Sequence, residues 1–309
     1  MNIIHAAHEL RPGAQKVCAA IGVFDGVHLG HQQVIRQTLA DAEQQEALAV
    51  VITFDCHPSA IVAPGHVPPL IYPLGKKLRT IEALGVDTTL LVHFDEAFSR
   101  QTGEVFVRAL SAELGRIHSI CVGSNFTFGH KRGGNVALLK KLGAELNFIV
   151  HGLAAVSLDG QPVSSTRIRD AIRGGRFDEA GQMLGRAYAL AGPVVRGDQL
   201  GRQIGFPTAN LDVTGLALPP TGVYAVHVQA LGKSHRAVLN IGRRPTVKSA
   251  APELRVEAHL LDFSDDLYGQ DLEVAFVARL RNELNFPTLA ALKEQIQRDI
   301  SAARLLFGE

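Results

Sequence analysis

Two histidines stand three residues apart in a glycine-rich segment near the N-terminus. The segment, GVFDGVHLGH (22–31), separates an apolar run from an amphipathic stretch, so a strand would pass there into a helix. Glycine lets the backbone approach a ligand, and the free N–H groups at a helix start attract an anion. A lone histidine is more often structural, but in this setting His28 and His31 can both donate to a phosphate. The Gly-Lys-Ser/Thr element of a Walker loop is missing.

Two further polar segments could contribute to the same site. The segment VGSNFTFG follows another apolar run, and its Asn125 is placed either to hydrogen-bond a nucleotide or simply to form a turn. The segment SSTRIR begins at Ser164 and leads into a helix, where hydroxyls and free N–H groups again suit phosphate. Arg167 and Arg169 are two residues apart and point to different faces of that helix. We therefore expect only one of them to reach the site.

The second half of the chain carries a different polar constellation. The segment GDQLGRQIGFPTAN (197–210) is punctuated by glycine and too irregular for a helix. Thr208 and Asn210, two apart in extended chain, can point their oxygens the same way, and such oxygens are suitable ligands for Mg²⁺. Composition alone equally fits a surface loop with a turn. Glu257 lies on the alternating segment LRVEAHLLDF, where a carboxylate is more often solvated than catalytic.

The elements that must position the first constellation alternate between short apolar runs and longer amphipathic stretches. Near-continuous apolar runs suit strands that are buried on both faces, and strand–helix alternation predicts an open, mostly parallel sheet whose ligands bind at the carboxyl ends of its strands. The stretch from Gln32 to Gln44 is one predicted helix. The predicted strands are VCAAIGVF (17–24), AVVITFD (49–55), TLLVHF (89–94), SICVG (119–123) and LNFIVHG (146–152).

After about Arg186 the pattern changes to closely spaced strands with short turns, which predicts an antiparallel barrel or sandwich. A final helix is expected to begin after Thr288 as its N-cap and to dock an apolar stripe on the strands. That stripe consists of Leu289, Leu292, Ile296, Ile300, Ala303 and Phe307. The predicted strands are GVYAVHVQAL (222–231), SHRAVLNIG (234–242), LRVEAHLLDF (254–263) and LEVAFVARLR (272–281).

The length, net charge and cysteine content of the chain limit the classes of function that it can have. The 309 residues favour two domains, and 31 basic against 30 acidic residues leave a formal net charge of +1, which gives no argument for nucleic acid or an anionic membrane as the main partner. The three cysteines show no CxxC pair, as expected in a reducing cytosol. Neither a signal peptide nor a membrane-spanning run is evident. These observations predict a cytoplasmic enzyme or binding protein.

Four motifs of the first half occur together and in order: GVFDGVHLGHQ, TFDCHP, VGSNFTFGHKRGG and SSTRIR. This set resembles the FAD synthetase module of prokaryotic bifunctional riboflavin kinase/FAD synthetases, and its first motif is a version of the HxGH signature of nucleotidyltransferases. Two positions depart from the family pattern. Cys56 stands where proline is frequent, and Asn135 stands where aspartate is common.

The resemblance implies a Rossmann-like nucleotidyltransferase sheet and a catalytic site at these motifs. His28 and His31 would stabilise charge on the ATP phosphates while the FMN phosphate attacks the α-phosphorus. Arg169 would act with them, and with Asn125 would hold the nucleotide and its leaving pyrophosphate. The ATP-binding residues implied for this module are Gly22, Phe24, Gly26, Asn125, Ser164 and Thr166.

The second half resembles the riboflavin kinase module of the same family through GRQIGFPTANL, LPPTGVYAV, LNIGRRPT, VEAHLLDF followed by LYG, and LRNELNF. PTAN is the most specific of these motifs. The resemblance implies an antiparallel barrel with a terminal helix, in which Glu257 is the general base that takes the proton of the ribityl 5′-hydroxyl. Arg281 would lie near the flavin. The ATP-binding residues implied here are Gly201, Gly205, Thr208 and Asn210, the last two also holding Mg²⁺.

Together the motifs predict an FMN adenylyltransferase domain over residues 1–186 and a riboflavin kinase domain over residues 187–309. ATP, riboflavin, FMN and FAD would be substrates or products, and Mg²⁺ the cofactor. Neither nucleic acid nor a membrane is an expected partner, and weak homo-oligomer formation stays open. Two alternatives remain: a nucleotidyltransferase for another phosphate acceptor, such as phosphopantetheine or nicotinamide mononucleotide, and a flavin sensor with vestigial catalytic residues.

Overall fold

The computed structural model describes residues 1–10, 15–244 and 253–309. By its internal contacts, the described chain divides into two compact units. The first unit holds residues 1–168 and 183–185, and the second holds residues 169–182 and 186–309. The predicted domain boundary between residues 186 and 187 stays a prediction.

The first unit is built on a six-stranded sheet whose neighbouring strands are all parallel. Its strands are β1 (Asn2–Ile4), β2 (Val17–Ile21), β3 (Leu48–Phe54), β4 (Thr88–Val92), β5 (Ile117–Gly123) and β8 (Ile149–Leu153). Between β5 and β8 the chain forms a separate short pair, β6 (Thr127–Phe128) and β7 (Gly134–Asn135). The order across the sheet is β1-β4-β3-β2-β5-β8. A second short pair is β9 (Ser157–Leu158) and β10 (Gln161–Pro162). The predicted open parallel sheet is confirmed.

In the described chain, six helices lie between the strands of the sheet and two more follow the β9–β10 pair. They are α1 (Leu29–Gln44), α2 (Ser59–Val62), α3 (Leu74–Glu82), α4 (Glu96–Ser99), α5 (Gly103–Leu114), α6 (Val136–Leu146), α7 (Ser165–Arg173) and α8 (Phe177–Leu184), with 3-10 turns at Ala7–Glu9, Asp25–Val27, Pro64–His66 and His130–Arg132. Within the described ranges, no helix is both long and apolar enough to cross a membrane.

Successive residues of one strand enter two different cores, as expected for a sheet that is covered on both faces. In β2, Ala19 packs in a cluster with Leu139 of α6, whereas Ala20 packs in a cluster with Ile35 of α1 and Ile81 of α3. All three of these partners are fully buried. The near-continuous apolar run of β2 therefore corresponds to a strand that is buried on both faces.

The second unit is built on a closed six-stranded barrel with antiparallel neighbours. Its elements are β11 (Ala189–Val195), α9 (Leu200–Ile204), β12 (Ala209–Leu211), β13 (Gly222–Ala230), β14 (Lys233–Arg244), β15 (Glu253–Leu260), β16 (Asp271–Arg281) and α10 (Leu289–Leu306). The closely spaced strands predicted either an antiparallel barrel or a sandwich, and the structure forms the barrel.

The terminal helix α10 docks on this barrel. Its predicted cap is confirmed, because the Thr288 side chain accepts a hydrogen bond from the Ala291 N–H at 3.2 Å. Ile300 and Ala303 are buried in a cluster with Val223 of β13. The stripe is uneven, since Leu289 at its start leaves 55% of its surface exposed.

Several predicted strands differ from the structure at their ends, and in two of them a left-handed residue lies at the displaced end. The first ends at Ile21 rather than residue 24, because Phe24 takes a left-handed conformation with φ of 52°. The last predicted strand of the parallel sheet begins at Ile149 rather than Leu146. Leu146 still belongs to α6, and Asn147 ends that helix with φ of 62°, a conformation that asparagine adopts more readily than most residues.

Candidate active sites

The turn that follows β2 is tightly constrained. Phe24, Gly26 and Val27 all have positive φ values, of 52°, 77° and 41°, and for a β-branched residue such as Val27 this is a strained conformation. A Cβ on Gly26 would lie 2.9 Å from the Ile71 side chain. Gly22 is equally constrained, since its Cβ would lie 2.9 Å from the Phe24 ring. The glycines that the sequence singled out therefore shape this turn.

The two histidines of the motif lie against each other at the start of α1. Their rings stack at 3.6 Å between centroids with an interplanar angle of 19°. His28 is buried and caps α1, because its Nδ1 accepts the His31 N–H at 3.4 Å. The Nδ1 atom of His31 is buried and has no hydrogen-bond partner among the described residues. The structure thus brings both predicted residues together at a helix N-terminus.

Burial lowers the pKa of His31 well below its usual value near 6.5, and the neighbouring His28 and Lys77 lower this pKa further. The imidazole is therefore neutral at pH 7 and has one N–H to donate. An anion placed against it would raise its pKa again, because an opposite charge favours the protonated form.

Two charged residues near this turn were not identified from the sequence. The buried Asp25 carboxylate accepts the Ile71 N–H at 2.9 Å and the Tyr72 N–H at 3.5 Å. The Ser165 hydroxyl donates to the Asp25 carbonyl at 3.1 Å. Asp25 thereby connects the turn both to the chain before α3 and to the SSTRIR motif.

Lys77 is the second of them. It is 7% exposed and donates to the Phe54 carbonyl at 2.7 Å. Burial lowers its pKa to about 8, against the raising effect of Asp25 and Asp55. The only signal in the sequence is its spacing, four residues before the buried Ile81, which puts both on the inner face of α3.

The other residues predicted for this site differ in exposure. Asn125 and Thr166 are exposed, whereas Ser164 is half-buried and its hydroxyl accepts the Arg167 N–H at 3.3 Å. The Arg167 guanidinium donates to carbonyls of the β9–β10 hairpin, so its hydrogen bonds are structural. Arg169 is buried and clusters with the second unit.

The second unit contains a cavity of about 340 Å³ between the barrel and α10. It brings together most of the residues that were predicted for a kinase site. Gly205 does not line the cavity; it ends α9 with φ of 93°. The predicted residues on the cavity wall are Gly201, Thr208, Asn210, Glu257 and Arg281.

Glu257 lies at the centre of three neighbouring strands. On β15 it is opposite Asn210 of β12 on one side and Asn240 of β14 on the other. Directly opposed side chains in such pairs lie about 4.5–5.5 Å apart at Cβ. Asn240 also lines the cavity, and single-sequence reasoning missed it because strand register is not visible in the sequence.

The Gly-punctuated loop packs directly on these polar groups. A Cβ on Gly197 would lie 2.5 Å from Nδ2 of Asn210, and a Cβ on Gly201 would lie 2.4 Å from the Phe206 carbonyl oxygen and 3.3 Å from the Thr208 hydroxyl. Two of the glycines are therefore needed for close approach to Asn210 and Thr208. The expectation that this segment is too irregular for a helix was wrong for part of it, because α9 occupies Leu200–Ile204.

Arg281 reaches the cavity wall while its guanidinium is held by α10. Its Nε and a terminal nitrogen donate to the Asp299 carboxylate at 2.9 and 2.8 Å. Asp299 is buried and also accepts from Gln295 at 2.9 Å. The Arg281 cation lies 5.7 Å from the centre of the Phe286 ring. Asp299 and Gln295 were not singled out in the sequence.

Comparison with known proteins decides the family. The FAD synthetase family matches residues 11–167, and the riboflavin kinase family matches residues 184–307. The bifunctional riboflavin kinase/FMN adenylyltransferases of Haemophilus influenzae and Escherichia coli K12 are 36% and 38% identical to the whole chain, over 100% and 98% of their own lengths. This chain belongs to the bifunctional riboflavin kinase/FMN adenylyltransferase family. The family member from Bacillus subtilis is 34% identical, also over the whole chain.

The same two-unit fold occurs in a solved structure. A crystal structure of a protein described as a macrolide-efflux protein from Streptococcus pneumoniae has a TM-score of 0.80 and 30% identity, covering 98% of each chain. The word efflux in this description refers to the Streptococcus pneumoniae protein and not to the present chain. Both family models that match the present chain describe enzymes of flavin-nucleotide synthesis.

Most of the predicted site residues fall inside the segments that define the family. Residues 22–166 of the first set lie in the FAD synthetase match, and residues 201–281 of the second set lie in the riboflavin kinase match. Arg169 lies between the two. Asn135, which departs from the family pattern, caps α6 by accepting the Leu138 N–H at 3.0 Å, a role that aspartate fills equally well. The last two residues of LNIGRRPT lie outside the described residues.

Proposed function

We propose that this chain phosphorylates riboflavin to FMN with ATP in its second unit and adenylylates FMN to FAD with ATP in its first unit. The observation that carries the proposal is that each family segment has its own cluster of the required groups. The first has two stacked histidines at a helix start, and the second has Glu257 beside Thr208 and Asn210 in one cavity.

In the kinase step, Glu257 accepts the proton of the ribityl 5′-hydroxyl while that oxygen attacks the γ-phosphorus and ADP leaves. Glu257 is half-buried on the cavity wall, so a hydroxyl of the ligand can reach it. General-base assistance of this kind contributes about 10²–10⁴-fold in rate. The rest of the catalysis is positioning and charge stabilisation.

The cavity has the chemistry to hold the flavin and the phosphates at once. Val223, Val238 and Ile300 give it an apolar wall, which suits an isoalloxazine ring, and Arg281 lies at the same wall. Thr208 and Asn210 would hold Mg²⁺ as oxygen ligands, and Mg²⁺ so bound would neutralise charge on the β- and γ-phosphates. In the described part of the chain no cluster of three or more His, Cys, Asp or Glu could hold a metal ion.

In the adenylyl step, an FMN phosphate oxygen attacks the α-phosphorus of ATP and pyrophosphate leaves. The first turn of α1 offers free N–H groups to the phosphates. His28 and His31 donate hydrogen bonds to the phosphates there. The Nδ1 atom of His31 is available for this because it has no hydrogen-bond partner among the described residues. Asn125 and Arg169 hold the nucleotide and pyrophosphate in this scheme, and Gly22, Phe24, Gly26, Ser164 and Thr166 shape the ATP site.

The proposal includes a reducing cytoplasm and a boundary between the domains at residues 186 and 187, and it leaves weak homo-oligomer formation open. Cys18, Cys56 and Cys121 are free, and Cys18 and Cys121 are buried. Burial raises the pKa of the Cys121 thiol to about 12. Cys18 and Cys121 therefore behave as small apolar residues of the core, as expected where disulfides do not form.

A chromatographic time course of the purified chain with riboflavin, ATP and Mg²⁺ tests the proposal. FMN should appear first and FAD second, and omission of Mg²⁺ should abolish both. FMN without FAD would indicate a different acceptor, or a dead site, in the first unit. Flavin binding without either product would indicate a sensor.

A further inference from the structure

A buried lysine lies beneath the turn that carries the two histidines. Lys77 belongs to α3, and only 7% of its surface is exposed. Placing a charge in such an environment costs free energy, and methionine would fill the same space without that cost. No step of the proposed function has yet used this lysine.

Its ammonium group joins the ends of two strands. It donates to the carbonyl of Phe54, the last residue of β3, at 2.7 Å and to the Thr53 hydroxyl at 3.2 Å. It also donates, at 3.4 Å, to the carbonyl of Val23 in the histidine-bearing turn. The Thr53 hydroxyl donates to that same carbonyl at 3.1 Å. An ammonium has three donors, and all three serve the protein here.

The charged groups around Lys77 are few. Asp25, Asp55, Cys56 and His57 line the same cavity of about 20 Å³. Asp55 is engaged elsewhere, because it contacts the His93 ring at 2.5 Å and accepts the Phe94 N–H at 3.1 Å. The charge of Lys77 also lowers the pKa of the His31 imidazole. The lysine thus contributes positive charge beneath the predicted phosphate site.

We propose that Lys77 is a positioning residue for FMN adenylylation, which fixes the histidine-bearing turn to the end of β3 and holds positive charge under the phosphates. This inference rests on the proposed function of the first unit. Wild-type FAD formation from FMN is therefore measured first, and its failure would refute that function rather than the role of Lys77.

The test compares Lys77→Met with Lys77→Arg, and uses Lys141→Met as the matched control because the Lys141 side chain is 73% exposed. Lys77→Met should lower kcat for FAD formation at least about 10-fold, the scale of a lost electrostatic contact in a site. Lys77→Arg should recover part of that loss. Riboflavin phosphorylation by the same chains, and both activities of Lys141→Met, should stay at wild-type values.

Two further readouts separate this role from mere support of the fold. The His31 ring, followed by NMR titration and assigned with His31→Gln, should show a raised pKa in Lys77→Met, because a neighbouring cation is gone. In the wild type, FAD formation should fall as pH rises through about 8, where Lys77 loses its proton, and riboflavin phosphorylation should not share that fall. Wild-type FAD formation and an unchanged His31 titration in Lys77→Met would overturn the proposal. If Lys77→Met does not fold, absence of the alkaline fall in the wild type would do so.

Discussion

At the scale of single residues, the ion pair between Arg281 and Asp299 is expected to contribute to the stability of the second unit. Asp299 of α10 is buried with 6% side-chain exposure, and Arg281 of β16 has 18%. Removing one partner of a buried pair leaves an uncompensated charge and typically costs about 3–5 kcal/mol. Because Arg281 keeps some contact with solvent, we expect Asp299→Ala to destabilise the docking of α10 by about 3 kcal/mol.

Amide hydrogen exchange of α10 in increasing urea measures this cost, since a chain of two units does not give one well-defined unfolding free energy. Glu294→Ala on the same helix is the control. Glu294 and its partner Arg298 are both about two-thirds exposed, so this change should cost less than about 1 kcal/mol. Equal losses in the two variants would contradict the assignment.

The residues that sequence alone could predict are those whose spacing implies the chemistry. His28 and His31 are marked by the glycines around them, and Thr208 and Asn210 are marked by their two-residue spacing in extended chain. Lys77, Asn240 and Asp299 could not be found in this way. Each acquires its place only through contacts with residues far along the chain: Lys77 with Phe54, Asn240 with Glu257 and Asp299 with Arg281.

At the scale of elements, the loop before β12 controls where Asn210 points. A methyl group on Gly197 would meet the Asn210 amide at 2.5 Å. That amide is the free end of a side chain, so it can move aside, but it would leave its present position. Displacements of about 1 Å can cost as much as 10²-fold in rate. We therefore expect Gly197→Ala to lower riboflavin phosphorylation about 10-fold or more while the chain stays folded.

Steady-state assays of both activities check this effect. FAD formation from supplied FMN should be unchanged in Gly197→Ala, which shows that the chain is intact. Gly65→Ala is the matched control, because among the described residues beyond its chain neighbours no atom lies within 4 Å of its added Cβ. Wild-type riboflavin phosphorylation in Gly197→Ala would show that the position of Asn210 does not matter to the reaction.

Elements with strong periodicity were predictable and their ends were not. The alternating segments of the second half became barrel strands, and α10 starts after Thr288 as its cap predicts. The ends of β2 and β8 were misplaced because left-handed residues, Phe24 and Asn147, interrupt otherwise apolar stretches. The three-residue strand β12 was too short to be seen as a strand in the sequence.

At the scale of the whole molecule, most of the groups proposed for each reaction lie in one unit, whereas Arg169, which is proposed for the adenylyl step, is assigned by its contacts to the second unit. His28 and His31 belong to the first unit, and Glu257, Thr208 and Asn210 belong to the second. The change in periodicity near residue 186 was enough to predict this division into an α/β half and a barrel half. Contacts assign residues 169–182 to the second unit, a detail that no pattern in the sequence indicates. We propose that two chemically separate sites occupy this one chain.

That claim is tested most directly by crossing two variants with two substrates. His28→Asn removes the imidazole and keeps a side chain that can cap α1, and Glu257→Gln removes only the basic carboxylate. With riboflavin, ATP and Mg²⁺, His28→Asn should make FMN at the wild-type rate and FAD at least about 10²-fold more slowly. With FMN, ATP and Mg²⁺, Glu257→Gln should make FAD at the wild-type rate, while its phosphorylation of riboflavin falls about 10²–10⁴-fold. Loss of both activities in either folded variant would contradict two independent sites.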